Sequence, residues 1–386
     1  MTIRVATTND LDEAIGQFEA AERLCIDTEF HAERRYRPRL YLVQIHVEGG
    51  DTWLLDPLVD GMLRAVAPAV TGTPWLVHAG RQDIRLLMHA LGDVPETVQD
   101  TQIGAGLAGS RFPQSYGKLV AEYLGKELDK SHTLSDWSRR PLTDQQVGYA
   151  AADVQLLPAL WEKIHAAVAE LNRTQICDEA CREARENALD RDFDTRQWRR
   201  IQAVGVLSGP SVATLEALAI WREDKARNAD QPARSILSDG LMVELSKRMP
   251  TSVDALRANR RFPKGIVKRH GEVIVDIVGR ASSRPAWGWP PVIRHRTAEA
   301  RQLAWFRSWA LIQEHSKRFA APLVLPDSML ERIILARPDD PEKVADVLGS
   351  WRNRLCGAEV LDALQSRIAL RLGGSDAVAS TDDRTA

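Results

Sequence analysis

The stretch LCIDTEF (residues 24–30) places two carboxylates one residue apart at the end of an otherwise apolar, strand-like run. Side chains on a strand alternate between its two faces, so Asp27 and Glu29 share one face while Thr28 points away. Unpaired charge on a core strand is costly. We therefore expect the two carboxylates to have partners elsewhere in the chain that offset their charge.

The residues around this stretch predict a mixed sheet. LYLVQIHV (40–47), DTWLLDPL (51–58) and PWLVHAG (74–80) have strand character, and the residues 48–51, EGGD, are typical of a hairpin turn. Helical periodicity marks 10–23, with Asp10 suited to capping, and RQDIRLLMHAL (81–91). From 116 to 172 the pattern is mostly helical, with Pro141 opening its second part. A strand meander followed by strand–helix alternation indicates an α/β sheet flanked by helices.

Three further residues could join the two acids in a site. Asp83 occupies a strand-to-helix junction, and Tyr149 and Asp153 are four apart, so that they share one face of a helix. Four acids brought together repel one another unless cations neutralise them. Mg²⁺ and Mn²⁺ prefer oxygen ligands, and paired ions can clamp the attacking and leaving oxygens of a phosphoryl transfer. The set is coherent as a hydrolytic metal site.

Each of these residues alone also has an ordinary structural explanation. Acids at a strand end are commonly solvated, Asp83 could cap its helix, and Tyr149 could be a core aromatic with its hydroxyl at the surface. Their joint occurrence in suitable elements favours the site.

Composition excludes several classes of protein. Apolar residues at 44% and charged residues at 27% are typical of a globular chain, and its 386 residues predict two or three domains. No apolar run approaches the roughly 20 residues of a membrane span. The amino terminus lacks an apolar signal core, and four cysteines do not make a disulfide framework. We therefore expect a cytoplasmic protein without a membrane partner.

The second half of the chain has a different character. Residues 1–200 carry 31 acidic and 23 basic side chains, whereas residues 201–386 carry 22 and 28. Two helical sets, separated by a Pro/Gly-rich stretch at 285–291, predict two copies of a small helical domain, followed by a disordered tail. The basic segment NRRFPKGIVKRHG (259–271) has five Lys or Arg and no acid, and we expect it to be a loop that contacts phosphates. A solvated basic loop is the alternative.

Three motifs, DTEF, HAGRQDIRLL and YAAADV, together with LDKSHTLSDWSRRPLT (128–143), resemble the ribonuclease D family of the DEDD exonuclease superfamily. The resemblance extends over the whole chain. It implies a ribonuclease H-like, DnaQ-like mixed-sheet exonuclease domain at 1–205. It also implies all-α helical domains of the HRDC type at 210–290 and, less clearly, at 291–372, with the tail at 373–386.

The resemblance also implies chemistry. The activity would be 3′-to-5′ exoribonuclease action on tRNA precursors and other structured RNAs, with two divalent ions, Mg²⁺ or Mn²⁺, as cofactors. By motif, the metal ligands would be Asp27, Glu29, Asp83 and Asp153. Tyr149 would orient the attacking water and help to deprotonate it. We expect the enzyme to act as a monomer.

Other residues carry open alternatives. Lys130 could contact a substrate phosphate or be a solvated lysine. His78 and Asp100 are better explained as structural residues. The candidate RNA contacts in the basic segment are Arg260, Arg261, Lys264, Lys268 and Arg269. A DNA exonuclease, or a nucleic-acid-binding scaffold with an inert nuclease domain, remains the alternative function.

Overall fold

A computed structural model of the chain describes residues 2–31, 35–128, 136–190, 194–207, 209–294 and 297–366. The chain divides into two compact units. The first comprises Met1–Glu33, Pro38–Asp190 and Ala310–Pro326, and the second comprises Arg34–Arg37, Arg191–Trp309 and Asp327–Ala386.

The first unit is built on a sheet that has six strands within the described residues: β1 Ile3–Val5, β2 Leu24–His31, β3 Arg39–Val47, β4 Thr52–Leu55, β5 Trp75–Val77 and β6 Val98–Asp100. Their spatial order is β1-β4-β3-β2-β5-β6. The β2–β3 and β3–β4 pairs are antiparallel, and the β1–β4, β2–β5 and β5–β6 pairs are parallel. The mixed α/β sheet expected from the sequence is confirmed, with β2 inside it.

Helices cover both faces of the sheet. The helices of this unit before residue 190 are α1 Leu11–Ala20, α2 Met62–Gly72, α3 Arg81–Leu91, α4 Thr101–Ala108, α5 Tyr116–Leu124, α6 Asp144–Gln155, α7 Leu157–Glu170 and α8 Thr174–Leu189. The side chains of Phe18, Val66 and Leu87 bring α1, α2 and α3 against Ile26, Ile45 and Trp53 of the sheet. On the opposite face, Ala150 of α6 packs against Leu42 and Leu54. The acids of β2 stand on this second face.

Local details correct the sequence-based expectations in two places. Asp10 does not cap α1 with its side chain; its carboxylate instead accepts hydrogen bonds from the backbone nitrogen (2.8 Å) and hydroxyl (2.6 Å) of Thr7. Pro141 precedes its helix by three residues, and Thr143 caps α6 through a reciprocal pair of hydrogen bonds with Gln146. Side chains near a helix start can bond several neighbouring backbone groups, and sequence pattern alone does not show which bond forms.

A segment from late in the chain completes the first unit. The backbone nitrogen of Ala320 donates to the carbonyl of Gly106 at 2.7 Å. The Arg173 guanidinium donates to the carbonyls of Leu107 and Arg318, both at 2.6 Å, and to that of Lys317. Those carbonyls lie at the ends of α4 and of α14 (Ala298–Lys317), where helical carbonyls lack intrahelical partners. One buried cation therefore caps two helices and ties residues 310–326 to the rest of the first unit.

The remaining elements are helical. They are α9 Gly209–Ala229, α10 Ala233–Ile236, α11 Asp239–Arg248, α12 Val253–Ala258, α13 Lys264–Ser282, α15 Ala321–Val324, α16 Asp327–Ala336, α17 Pro341–Leu348 and α18 Ser350–Gln365, with short 3₁₀ turns at Asp194–Arg200, Gln202–Val206 and Ala286–Gly288. In the second unit, Leu215, Leu218, Met242 and Ile274 belong to one buried core. No helix within the described residues is long and apolar enough to cross a lipid bilayer.

The basic segment is a loop only in its first part, which corrects the expectation from sequence. Pro263 stands at the N-cap of α13, so that Lys264, Lys268 and Arg269 lie on the first two turns of that helix. Proline has a backbone angle suited to the start of a helix. Gly265 lies within α13, because the apolar face of this helix begins directly after it. Arg260 and Arg261 remain in the connection before the helix.

Candidate active site

Two of the acids come from the central part of the sheet. Asp27 and Glu29 lie on β2, which pairs with β3 on one side and β5 on the other. The register between β2 and β3 shifts after Glu29, a bulge that interrupts the pleat beyond the second acid. Both side chains are half-buried. A paired strand holds the two carboxylates more rigidly than a loop could.

Asp83 reaches the same region from the first turn of α3. Its turn is fixed by Asp100, whose carboxylate accepts hydrogen bonds from the backbone nitrogens of Ala79 and Gly80, both at 3.0 Å, and caps α4 through Gln102 at 2.8 Å. Ala79 has a φ of 53°, a left-handed conformation that these bonds help to hold. Asp100 thus holds the turn that places Asp83. Asp83 itself is 7% exposed and accepts a hydrogen bond from the hydroxyl of Thr28.

The last acid and the tyrosine come from α6. The Tyr149 hydroxyl donates a hydrogen bond to the Asp153 carboxylate one turn further along the helix. The Tyr149 ring lies 6.2 Å from the ring of Trp137, measured between centroids. With Ala150 packed on Leu42 and Leu54, this contact fixes the rotation of α6 over the sheet.

The loop before α6 is pinned by an arginine. Arg140 donates to both carboxylate oxygens of Asp56, at 2.5 and 2.8 Å, and to the carbonyls of Tyr41 (2.6 Å) and Trp137 (2.8 Å). A guanidinium bound in this two-pronged way is positioned more firmly than a single-contact ion pair. Arg140, from the motif LDKSHTLSDWSRRPLT, therefore anchors the approach to α6.

The acids are close enough to influence one another's ionisation. Burial, followed by the charges of Asp83, Asp153 and Glu29, raises the pKa of Asp27 well above its ordinary value. Burial and the charges of Asp153 and Asp83 raise the pKa of Glu29 to about 8. Burial raises the pKa of Asp83 to about 6 and that of Asp153 to about 7, although hydrogen bonds from Thr28 and Tyr149 act in the opposite direction. Carboxylates that hold protons near neutral pH in this way are stabilised in ionised form by cations.

The carboxylates fit a divalent-ion site chemically, but not as a ready-made cage. Among the described residues, no group of three or more His, Cys, Asp and Glu side chains is arranged to hold a metal ion. Two of the acids are engaged by hydroxyls instead, Asp83 by Thr28 and Asp153 by Tyr149. Oxygen-rich, anionic donors of this kind suit Mg²⁺ or Mn²⁺.

The other candidates separate from this cluster. His78 contacts the Thr101 hydroxyl (2.9 Å) and the Gln114 carbonyl (3.1 Å) through its two ring nitrogens, so it is a structural histidine, as expected. Lys130 lies outside the described residues. The five basic candidates belong to the second unit.

Two residues near the acids were not anticipated as contributors. Thr28 was expected only to point away from Asp27, and from the opposite face it holds Asp83. Tyr116 of α5 donates to the carbonyl of Ala152 at 3.4 Å, next to Asp153. Nothing local marks either residue, because both contacts join side chains that are distant in sequence.

Comparison with known proteins defines the class. Residues 3–169 match the family model of a 3′-5′ exonuclease, and residues 211–278 match that of the HRDC domain. Among curated relatives, the ribonuclease D of Xanthomonas oryzae pv. oryzae is 32% identical over 89% of this chain and 93% of its own length. The ribonuclease D of Gluconacetobacter diazotrophicus is 28% identical over 97% and 95%. The crystal structure of Escherichia coli RNase D aligns with a TM-score of 0.75 at 24% identity, covering 95% of this chain and 98% of that one.

The first unit is thus a nuclease of the 3′-to-5′ exonuclease class, which depends on divalent metal ions. The chain as a whole belongs to the ribonuclease D family of exoribonucleases.

Proposed function

We propose that this exoribonuclease trims the 3′ ends of tRNA precursors and other structured RNAs and releases nucleoside 5′-monophosphates with two divalent ions at its site. The observation that carries the proposal is the gathering of Asp27, Glu29, Asp83 and Asp153 from three separate elements beside Tyr149. The Escherichia coli relative is described as an exoribonuclease involved in structured RNA processing, which supports this substrate class.

The four acids would hold the ions, Mg²⁺ or Mn²⁺. When bound, the ions supply neutralisation of the acids and of the charge that develops on the phosphate. Asp27 and Glu29 provide a fixed reference for the scissile phosphate because they stand on a paired strand. Asp83 and Asp153 close the set from α3 and α6, held respectively by Thr28 and Tyr149.

Tyr149 would align the attacking water. Its hydroxyl donates to Asp153, and a phenol oxygen that donates one hydrogen bond can also accept one, here from the water. The packing of the Tyr149 ring near Trp137 would hold its hydroxyl in place for this role. Proton removal and alignment of this kind typically contribute about 10²–10⁴-fold to turnover.

The exonuclease domain would comprise residues 1–205, and the two helical domains would comprise residues 210–290 and 291–372. The helical domains would supply RNA affinity. The basic segment borders a cavity of about 690 Å³ lined by Phe262, Lys264, Lys268, Arg269 and His270, among others. Cations beside an aromatic ring suit a sugar–phosphate backbone, which contributes affinity without sequence information. Arg260 and Arg261 directly precede Phe262, which lines this cavity. Lys130 stays a proposed phosphate contact.

The test compares substrates and a matched site variant. Purified protein, with and without Mn²⁺, is given a 3′-extended tRNA and RNA and DNA oligomers of identical sequence. We expect metal-dependent release of 5′-monophosphates from RNA, and no release by Asp27→Asn. Preferential hydrolysis of DNA would favour a DNA exonuclease, and binding without any hydrolysis would favour a scaffold. Sedimentation of the same sample would test the expected monomer, and fractionation of the host cell would test the expected cytoplasmic location.

A further inference from the structure

Gln44, in the middle of β3, is a buried amide without partners. Its side chain is 0% exposed, and neither its amide nitrogen nor its amide oxygen has a hydrogen-bond partner among the described residues. An amide buried in this way loses its hydrogen bonds to water and gains none in return. A methionine or leucine of similar volume would suit the packing better, so the amide at this position calls for an explanation.

The strand register places Gln44 beside the first acid. Gln44 lies directly opposite Asp27 on β2 and opposite Leu54 on β4. Facing residues of antiparallel strands project from the same face, with Cβ atoms roughly 5 Å apart. On this face Leu42, Leu54 and Ala150 form an apolar cluster. Gln44 therefore stands between that cluster and Asp27, and its side chain is long enough to reach the carboxylate.

Other buried polar groups on this face are paired. The Nδ1 atom of His46 lies 3.1 Å from the hydroxyl of Thr52, and the Gln155 amide donates to the same hydroxyl at 3.1 Å. An unpaired polar group is therefore not a general feature of this face. The unpaired amide stands at the cross-strand position on β3 that faces Asp27.

We infer that Gln44 is a positioning residue for the metal site, whose amide nitrogen donates a hydrogen bond to the Asp27 carboxylate and fixes its orientation when a divalent ion is bound. This inference rests on the proposed function of Asp27. Hydrogen bonds to a ligating carboxylate from groups behind it typically contribute about 10–100-fold to metal affinity. Gln44 would therefore act through Asp27 without touching substrate.

The experiment uses the full chain and measures Mn²⁺ binding separately from activity. Free Mn²⁺ is followed by electron paramagnetic resonance during titration of the wild type, Gln44→Met, Gln44→Leu and Asp27→Asn. Gln17→Met is the matched control, because its amide oxygen accepts a hydrogen bond from the Trp53 indole at 3.1 Å on the opposite face of the sheet. Urea unfolding of each metal-free protein and turnover against Mn²⁺ concentration complete the comparison.

We expect Gln44→Met to unfold at the same or a higher urea concentration than the wild type. It should bind Mn²⁺ about tenfold more weakly and regain turnover at correspondingly higher Mn²⁺. Gln17→Met should lose stability and keep its Mn²⁺ affinity.

Unchanged Mn²⁺ affinity in both Gln44 variants, with Asp27→Asn impaired, would overturn the role of Gln44 and leave the proposed function standing. Gln44 variants that are destabilised or unfolded would overturn it too, since the amide would then have a structural role. If the wild type itself bound no Mn²⁺, the proposed function would fall, and this inference with it.

Discussion

Replacing Asp153 with asparagine should make the metal-free protein more stable while abolishing hydrolysis. Asparagine has nearly the same shape and still offers an oxygen to the Tyr149 hydroxyl. It removes the charge that burial penalises at this position. Asp27→Ala should abolish hydrolysis in the same way with the fold intact, because it too removes a proposed metal ligand.

The magnitude follows from the pKa of Asp153, which burial raises from 3.8 to about 7. The folded protein then binds this proton more tightly than the unfolded chain. Its contribution to stability is full below pH 4 and is lost as the pH rises toward 7. A shift of about three units corresponds to about 4 kcal/mol, and the partial exposure of Asp153 reduces this to about 2–4 kcal/mol.

The assay is urea unfolding in EDTA at pH 5, 6, 7 and 8, followed by the fluorescence of the eleven tryptophans. The advantage of Asp153→Asn over the wild type should grow by about 2–3 kcal/mol between pH 5 and pH 8. Asp60→Asn, at an exposed position, serves as the control and should show no such growth. An Asp153→Asn protein that is no more stable than the wild type at pH 8 would refute the reasoning.

Further outcomes test the rest of the molecule. Tyr149→Phe should lower turnover about 10²–10⁴-fold with little change in substrate affinity; a raised Michaelis constant with normal turnover would instead make it a substrate contact. Changing the five Lys and Arg residues of the basic segment to Ala together should weaken binding of a 3′-extended tRNA. The slope of log affinity against log salt concentration should flatten by roughly 0.7–0.9 per lost phosphate contact. An unchanged slope would argue against RNA binding by this segment. Arg140→Met should reduce stability and activity together, which thermal melting and turnover would record, because it releases the loop before α6 from Asp56. A chain ending near residue 205 keeps the five proposed active-site residues and should still trim short single strands. It loses residues 310–326, which Arg173 contacts, and should therefore melt at a lower temperature. An unchanged melting temperature would show that the Arg173 contacts contribute nothing to stability.

Much of the fold follows from local pattern. The alternation in LYLVQIHV predicted β3, and the periodicity of RQDIRLLMHAL predicted α3 with the bounds that the structure has. The shared face of Asp27 and Glu29, and the spacing of Tyr149 and Asp153, also follow from the geometry of one strand and one helix. The motifs together predicted the ribonuclease D family, which the comparisons confirm. The short strands β1 and β6 were not among the predicted strands.

What tertiary structure decided are the pairings between distant residues. Neither the bond from Thr28 to Asp83 nor the ion pair of Arg140 with Asp56 has a local signature. The position of Gln44 beside Asp27 depends on strand register, because a shift of one residue would turn the amide to the other face of the sheet. Likewise, no sequence pattern in residues 310–326 predicts that Arg173 caps the end of α14. A sequence encodes which face each residue occupies through the period of its element, whereas the partner across that face is selected only when the whole chain packs.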